Sequence, residues 1–285
     1  MGYLAGRFSV ESESNMTKIL ILGGTGMLGN IVVRHFIAQE GYDVTATYRT
    51  EGLQIPCNKI KFNVLNDSLD TITGSYDYVL NCIGITKPFM LPDIVAAIKI
   101  NSIFPHELAS WCNSKEMKMI HITTDCVYSG LTGKYTESIL HDALDDYGKS
   151  KSLGECPQDA MVLRTSIIGE ELHKDAFLVA WAKSQKGKTI SGFSTHLWNG
   201  ITTNYYAKAC DTIIREGYYE HGLSHIFASD DVTKLEMMHI FNEKYDLGMT
   251  IEEKQPAKCD RTLRTDKDLN GKLGIPTVKQ MITEM

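Results

Sequence analysis

Tyr147 and Lys151 stand four residues apart in Tyr147-Gly148-Lys149-Ser150-Lys151, the single Tyr-x-x-x-Lys of the chain. On a helix that spacing puts both side chains on one face. A phenol with a pKa near ~10 is a poor proton shuttle at neutral pH. A neighbouring ammonium stabilises the phenolate and draws the phenol toward the working range. The pair therefore suits delivery of a proton to the alkoxide that forms when hydride reaches a ketone. Upstream, Thr124 closes an apolar run in Thr123-Thr124-Asp125. Its hydroxyl is expected to hold the carbonyl in line with hydride and phenol, a positioning role.

Hydride chemistry needs a carrier, and the first apolar run leads directly into Gly23-Gly24-Thr25-Gly26-Met27-Leu28-Gly29. Glycines at 23, 26 and 29 permit a tight turn, close approach of backbone to a pyrophosphate, and tight packing of helix on strand. The helix that opens at Met27 and Leu28 would present free N–H groups and the positive end of its dipole to the phosphates. The second strand ends in Thr47-Tyr48-Arg49-Thr50, with no carboxylate at its tip to receive an adenosine ribose. Arg49 could pair with a 2′-phosphate instead, which favours NADP and leaves NAD open.

These groups must be positioned by regular elements, and the hydrophobic pattern supplies them. Lys18–Leu22, Val44–Tyr48, Ile60–Asn63, Tyr78–Ile83, Lys118–Ile122 and Ala160–Arg164 read as strands, with helical patterns at Met27–Gln39 and Ile94–Cys112. Alternation of this kind predicts an α/β fold, a Rossmann-type doubly wound parallel sheet. After Arg164 the rhythm loosens into helices near 176–185, 205–215 and 232–242. The expected division is a flexible N-terminal extension over 1–15, a dinucleotide-binding domain over 16–168 and a smaller, mixed substrate-binding region over 169–285. The helix near 203–215 is a candidate to pack back on the first domain.

Composition narrows the function further. A net charge of −6 argues against a nucleic-acid partner. No apolar run approaches the roughly 18 residues of a membrane span, and no leader pattern opens the chain. The seven cysteines are odd in number and none are spaced Cys-x-x-Cys. They read as reduced thiols in a cytoplasmic protein. His221 and His225 lack a third ligand, so no metal site is expected. Lys258, Arg261, Arg264 and Lys267 gather positive charge late in the chain, and arginine suits a diphosphate.

Longer motifs carry a resemblance. His121-Ile122-Thr123-Thr124-Asp125-Cys126-Val127-Tyr128-Ser129-Gly130, Gly133-Lys134-Tyr135-Thr136-Glu137, Tyr147 through Glu155, and Val162-Leu163-Arg164-Thr165-Ser166 follow one another in order. In these the chain resembles an extended short-chain dehydrogenase/reductase, and within that superfamily the dTDP-4-dehydrorhamnose reductase family. The likeness runs from about Met16 to Thr203 and weakens beyond.

The resemblance implies Thr124, Tyr147 and Lys151 as the catalytic three. It also implies Asn63-Val64 beside the adenine, Cys82-Ile83-Gly84 lining the dinucleotide, and Asn101 supporting the site. The implied reaction is NAD(P)H-dependent reduction of the 4-keto group of a nucleotide-diphosphate 4-keto-6-deoxy sugar, in nucleotide-sugar and polysaccharide biosynthesis. Asp125, Trp198 and Arg261 are the expected substrate contacts, and a homodimer is left open.

Two departures bear on the substrate. Cys126 follows Asp125 where related dehydratases carry a second acid, which counts against dehydration. Ile167-Ile168 stands where the reductases usually place an aromatic residue against the sugar. The rival readings are an epimerase with tightly held NAD and a non-catalytic regulatory subunit, since one branch of the fold binds methionine adenosyltransferase.

Overall fold

The computed structural model describes residues 16–51, 55–171 and 177–285. The extension assigned to residues 1–15 and the first residue of the helix expected from 176 lie outside them. The first strand, β1 (Thr17–Leu22), shows why the sheet is covered on both sides. Ile19 and Ile21 enter a cluster with Val32, Val33 and Phe36, whereas Leu20 and Leu22 enter a second one with Phe104, Leu108 and Cys112. Each fully buried aliphatic side chain of this kind contributes about 1.5–3 kcal/mol.

Helix α1 (Met27–Ile37) supplies the first cluster. The strands β2 (Tyr42–Tyr48), β3 (Asn58–Lys61) and β4 (Tyr78–Asn81) follow. The helical pattern from Ile94 is realised as α2 (Ile94–Ile98), a π turn over Lys99–Ile103, and α3 (Phe104–Ser114). Pro105 explains the interruption, because it has no N–H to offer the carbonyl of Asn101 four residues back. Then come β5 (Lys118–Thr124), α4 (Asp146–Leu153) and β6 (Met161–Thr165).

Beyond Ile168 are α5 (Leu178–Ser184), α6 (Thr203–Arg215), β7 (Gly222–His225) and α7 (Lys234–Tyr245). Numbering only the strands of the main sheet, their order is β7-β6-β5-β4-β1-β2-β3, all parallel. The order reverses between β1 and β4, and such a switch point opens a crevice at the carboxyl ends of the strands.

The chain returns to this sheet after residue 169. β7 pairs with β6 along Gly222–His225, and α6 lies against α1. Asp211 of α6 joins them, accepting from Tyr42 Oη at 2.6 Å and from Arg215 Nε at 2.7 Å, with His35 Nε2 at 2.9 Å. Two strands also differ at their ends from expectation. β4 stops at Asn81, whose side chain accepts from the Ile83 N–H at 3.1 Å and turns the chain out of the ladder. β5 continues to Thr124, because Thr123 and Thr124 remain paired with Arg164 and Thr165 of β6. Among the described residues no helix is long and apolar enough to cross a membrane.

Candidate active site

The glycine loop occupies the β1–α1 turn at the switch point. Gly26 caps α1 without any side-chain hydrogen bond, so the helix N-terminus at Met27 and Leu28 stays open to an anion. The Gly23 N–H is anchored on Thr47 Oγ1 at 2.9 Å. Any side chain at Gly29 would collide with the Gly23 carbonyl, so only glycine lets the helix sit this close to the loop. Arg49 lies exposed just past the end of β2. Asn63 and Val64 follow β3, where the Asn63 carboxamide caps its own turn by accepting from the Leu65 N–H at 3.1 Å. Cys82, Ile83 and Gly84 run out from β4 alongside the loop, and the Ile83 side chain approaches Gly23.

Thr124 ends β5 and caps the short 3-10 turn Asp125–Val127. Its hydroxyl accepts from the Cys126 N–H at 3.1 Å and donates to Asp125 Oδ1 at 3.2 Å. Asp145 caps α4 by accepting from the Gly148 N–H at 3.0 Å, which fixes the helix start next to this turn. Tyr147, half-buried in the first turn of α4, meets the Thr124 hydroxyl.

Lys151, one turn further, is 5% exposed and donates from Nζ to the Ile122 carbonyl at 3.1 Å. A Cβ built on Gly84 would lie 4.0 Å from Lys151 Nζ and 3.7 Å from Asn101 Oδ1. The Tyr147 phenol thus meets Thr124, and the Lys151 amine lies beside Gly84 and the end of β5.

The electrostatics differ from the sequence argument in one respect. Burial raises the Tyr147 phenol, and the neighbouring Cys126 and Asp125 raise it further; the Thr124 contact opposes them without prevailing. The phenol is therefore held protonated, as a proton donor requires. Burial lowers the Lys151 amine to about 8, with Glu155 and Cys156 opposing. Asp125 is raised by burial, against the pull of Arg261, Thr124, Cys126 and Lys234.

Asn101 sits buried in the π turn. Its carboxamide accepts from the Ile85 N–H and donates to the Ile85 carbonyl, both at 2.8 Å, and also donates to Ser150 Oγ at 3.2 Å. It therefore acts on the 83–85 segment and on α4 rather than from within the crevice.

Trp198 is 5% exposed within a core cluster, and its strand pairs with Val232–Thr233. One expectation about the substrate side is corrected. The late positive charges do not form a cluster. Lys258 pairs with Asp260, Arg264 with Asp231, and Lys267 donates to the Leu223 carbonyl. Arg261 donates to the carbonyls of Tyr128 at 2.8 Å and Ser129 at 3.1 Å, holding the segment behind the Thr124 turn while facing Asp125.

A residue the motifs did not single out borders a cavity nearby. Lys234, at the start of α7, lies 5.3 Å from the Trp198 ring centroid and faces Asp125 and Cys126. It borders a cavity of about 480 Å³ lined with Leu178, Trp181, Phe193, His196 and Met238. Sequence pattern could not find it, since a lone lysine after a helix cap carries no motif. His225, in strand β7, belongs to a buried group around Arg164.

A seven-stranded parallel sheet with a glycine loop on β1 and this trio beside β4 and β5 defines an extended short-chain dehydrogenase/reductase fold. The family model of the RmlD substrate binding domain matches residues 16–263, and the chain belongs to that family. The chain is 29% identical over 160 residues to a probable low-salt glycan biosynthesis reductase of Haloferax volcanii. That match covers 52% of each protein, so the chain spans about half the length of this relative.

It is 27% identical over 273 residues to the methionine adenosyltransferase 2 subunit beta of Danio rerio, covering 86% of this chain and 79% of the relative. Among solved structures, a dTDP-4-dehydrorhamnose reductase from Yersinia enterocolitica superposes with a TM-score of 0.75 at 18% identity, over 94% of this chain and 98% of that one. A dTDP-4-dehydrorhamnose reductase from Bacillus anthracis in complex with NADP gives 0.75 at 17% identity, over 94% and 98%.

Proposed function

We propose that this chain is an NADPH-preferring reductase of the 4-keto group in a nucleotide-diphosphate 4-keto-6-deoxy sugar. The observation that carries the reading is the convergence of Thr124, Tyr147 and Lys151 on the crevice that Gly84 lines. The glycine loop suits a pyrophosphate, since Gly29 lets α1 pack directly on the loop and no side chain caps the α1 N-terminus. Arg49 is free to meet a 2′-phosphate.

When bound, the dinucleotide supplies the hydride. Thr124 orients the sugar carbonyl, and the protonated Tyr147 gives its proton to the carbonyl oxygen. The Lys151 cation stabilises the phenolate left behind. Arg261 braces the Thr124 turn through the carbonyls of Tyr128 and Ser129. The apolar cavity beside Lys234 suits the remainder of the substrate, with the ammonium near its anionic part. Incubation with NADPH and dTDP-, UDP- or GDP-linked 4-keto-6-deoxy sugars should consume absorbance at 340 nm. No consumption with any of them would remove this reading.

The 86% coverage shared with the Danio rerio subunit supports a second reading, a regulatory subunit that binds a methionine adenosyltransferase. Co-purification with such an enzyme, undiminished by Tyr147→Phe, would favour it.

A further inference from the structure

We propose that Thr47 is a positioning residue of the dinucleotide site: its buried hydroxyl fixes the glycine loop and so sets where the α1 N-terminus meets the phosphates. The inference rests on the dinucleotide part of the reductase reading and adds a group that lies outside the glycine motif.

Thr47 stands one residue from the end of β2 and is 1% exposed. It holds two consecutive N–H groups of the loop. The Gly23 N–H donates to Thr47 Oγ1 at 2.9 Å, and the Gly24 N–H donates to the Thr47 carbonyl at 2.9 Å. The second bond is made by backbone, so any residue at position 47 could supply it. The first needs the hydroxyl. A β-branched side chain suits a strand and has a stiff χ1, which keeps the oxygen aimed at the loop.

The paired register of β1 and β2 ends at Ile21 and Ala46, so the hydroxyl takes over where the backbone ladder stops. The Leu22–Gly23 peptide is then held from both sides. Its N–H goes to Thr47, and its carbonyl accepts from the Cys82 N–H beyond β4 at 3.1 Å. Contact between loop and strand is close here: a Cβ built on Gly24 would lie 2.8 Å from the Ala46 Cβ.

Gly23 passes this anchor on to the helix. It adopts φ +80°, which glycine tolerates, and its carbonyl accepts from the Gly26 N–H at 2.9 Å. The same carbonyl is the surface on which Gly29 packs, since a Cβ there would come within 2.1 Å of it. The N–H groups of Gly23, Gly24 and Gly26 are thereby occupied. Those of Met27, Leu28 and Gly29 stand in the first turn of α1, where a helix offers them no acceptor, and no side chain caps them. They are the groups left for an anion. Thr47 acts on them through the loop, and on the diphosphate that NADP and NAD share. Arg49, two residues on, is assigned to the 2′-phosphate alone.

The test is Thr47→Val in the full chain. It keeps the branched shape and the Gly24 bond but leaves the buried Gly23 N–H without its acceptor. Fluorescence titrations with NADPH and with NADH should both show Kd raised about tenfold, the size expected for one unsatisfied buried donor. In the reductase assay the loss should lie in KM for the cofactor rather than in kcat. Thr47→Ser, which returns the hydroxyl, should recover most of the affinity.

A folded Thr47→Val protein with wild-type Kd for both cofactors would overturn the proposal. So would a loss confined to NADPH, which would tie Thr47 to the 2′-phosphate, or a loss that Thr47→Ser does not recover, which would make the methyl group responsible. If Thr47→Val does not fold, Thr47→Ala removes the same acceptor at smaller volume and is read in the same titrations. The two ideas fail separately. Wild-type protein that binds neither cofactor sinks the dinucleotide reading and this proposal with it, whereas an unmoved Kd in the variant sinks the role of Thr47 alone.

Discussion

Asn101 lies 3.2 Å from Ser150 through its Nδ2, and Ser150 Oγ in turn donates to the Tyr147 carbonyl at 2.9 Å. The π turn, the segment after β4 and helix α4 are therefore one hydrogen-bonded unit. Asn101→Ala would leave the N–H and C=O of Ile85 without partners, at a cost of about 2–3 kcal/mol. A lower urea midpoint with an unchanged slope, together with a raised KM for NADPH, is the expected result. A midpoint matching the wild type would deny this linkage.

Tyr147→Phe removes the proposed proton donor and little volume. Turnover should fall by about 10²–10⁴-fold, while NADPH still binds, as followed by its fluorescence. Equal loss of binding and turnover would point to a structural role for the phenol.

Arg49→Ala should raise KM for NADPH about tenfold and leave NADH almost untouched, since only one cofactor carries the 2′-phosphate. Steady-state kinetics with both cofactors check this. An unchanged preference would mean that another group reads the phosphate.

Gly29→Ala pushes a methyl group into the Gly23 carbonyl. The rise in melting temperature that NADPH gives the wild type should disappear in this variant. A retained rise would show that α1 can yield at the loop.

The Arg164 group makes stability depend on pH in a calculable direction. An arginine only donates, so His141 and His225 must both accept through Nε2 and stay neutral. Burial, helped by Arg164, lowers both, His225 to about 4; the Glu155 carboxylate 3.6 Å from His141 opposes this without prevailing. The unfolded chain takes up these protons first, near pH ~6.5. Stability is therefore complete above that pH and falls as pH drops toward 4, by ~3 kcal/mol for His225 alone. Urea unfolding between pH 7.5 and 4.5 should show the decline, and His225→Gln should flatten it.

The sheet was legible in the sequence because each strand is a short apolar run bounded by turn residues, and a buried parallel strand has no other way to be written. The glycine loop and the Tyr147–Lys151 pair could be placed on a turn and a helix from sequence alone, because the chemistry proposed for them fixes residue type and spacing together. Lys234 left no local signal, since it comes to face Asp125 and Cys126 only when α7 is brought against the Thr124 turn. Likewise β7 has only four residues, Gly222–His225, and pairing with β6 rather than local pattern makes it a strand.

The late return of the chain to its sheet limits how the molecule could be cut or recombined. A fragment ending at residue 168 would leave the β6 edge bare and the outer side of α1 without α6, an invitation to aggregation. A chimera that borrows a relative's sugar-recognising half must therefore import that relative's last sheet strand and its preceding helix as well. Crossovers placed on either side of that helix–strand unit, rather than midway along the chain, are the ones compatible with an intact core.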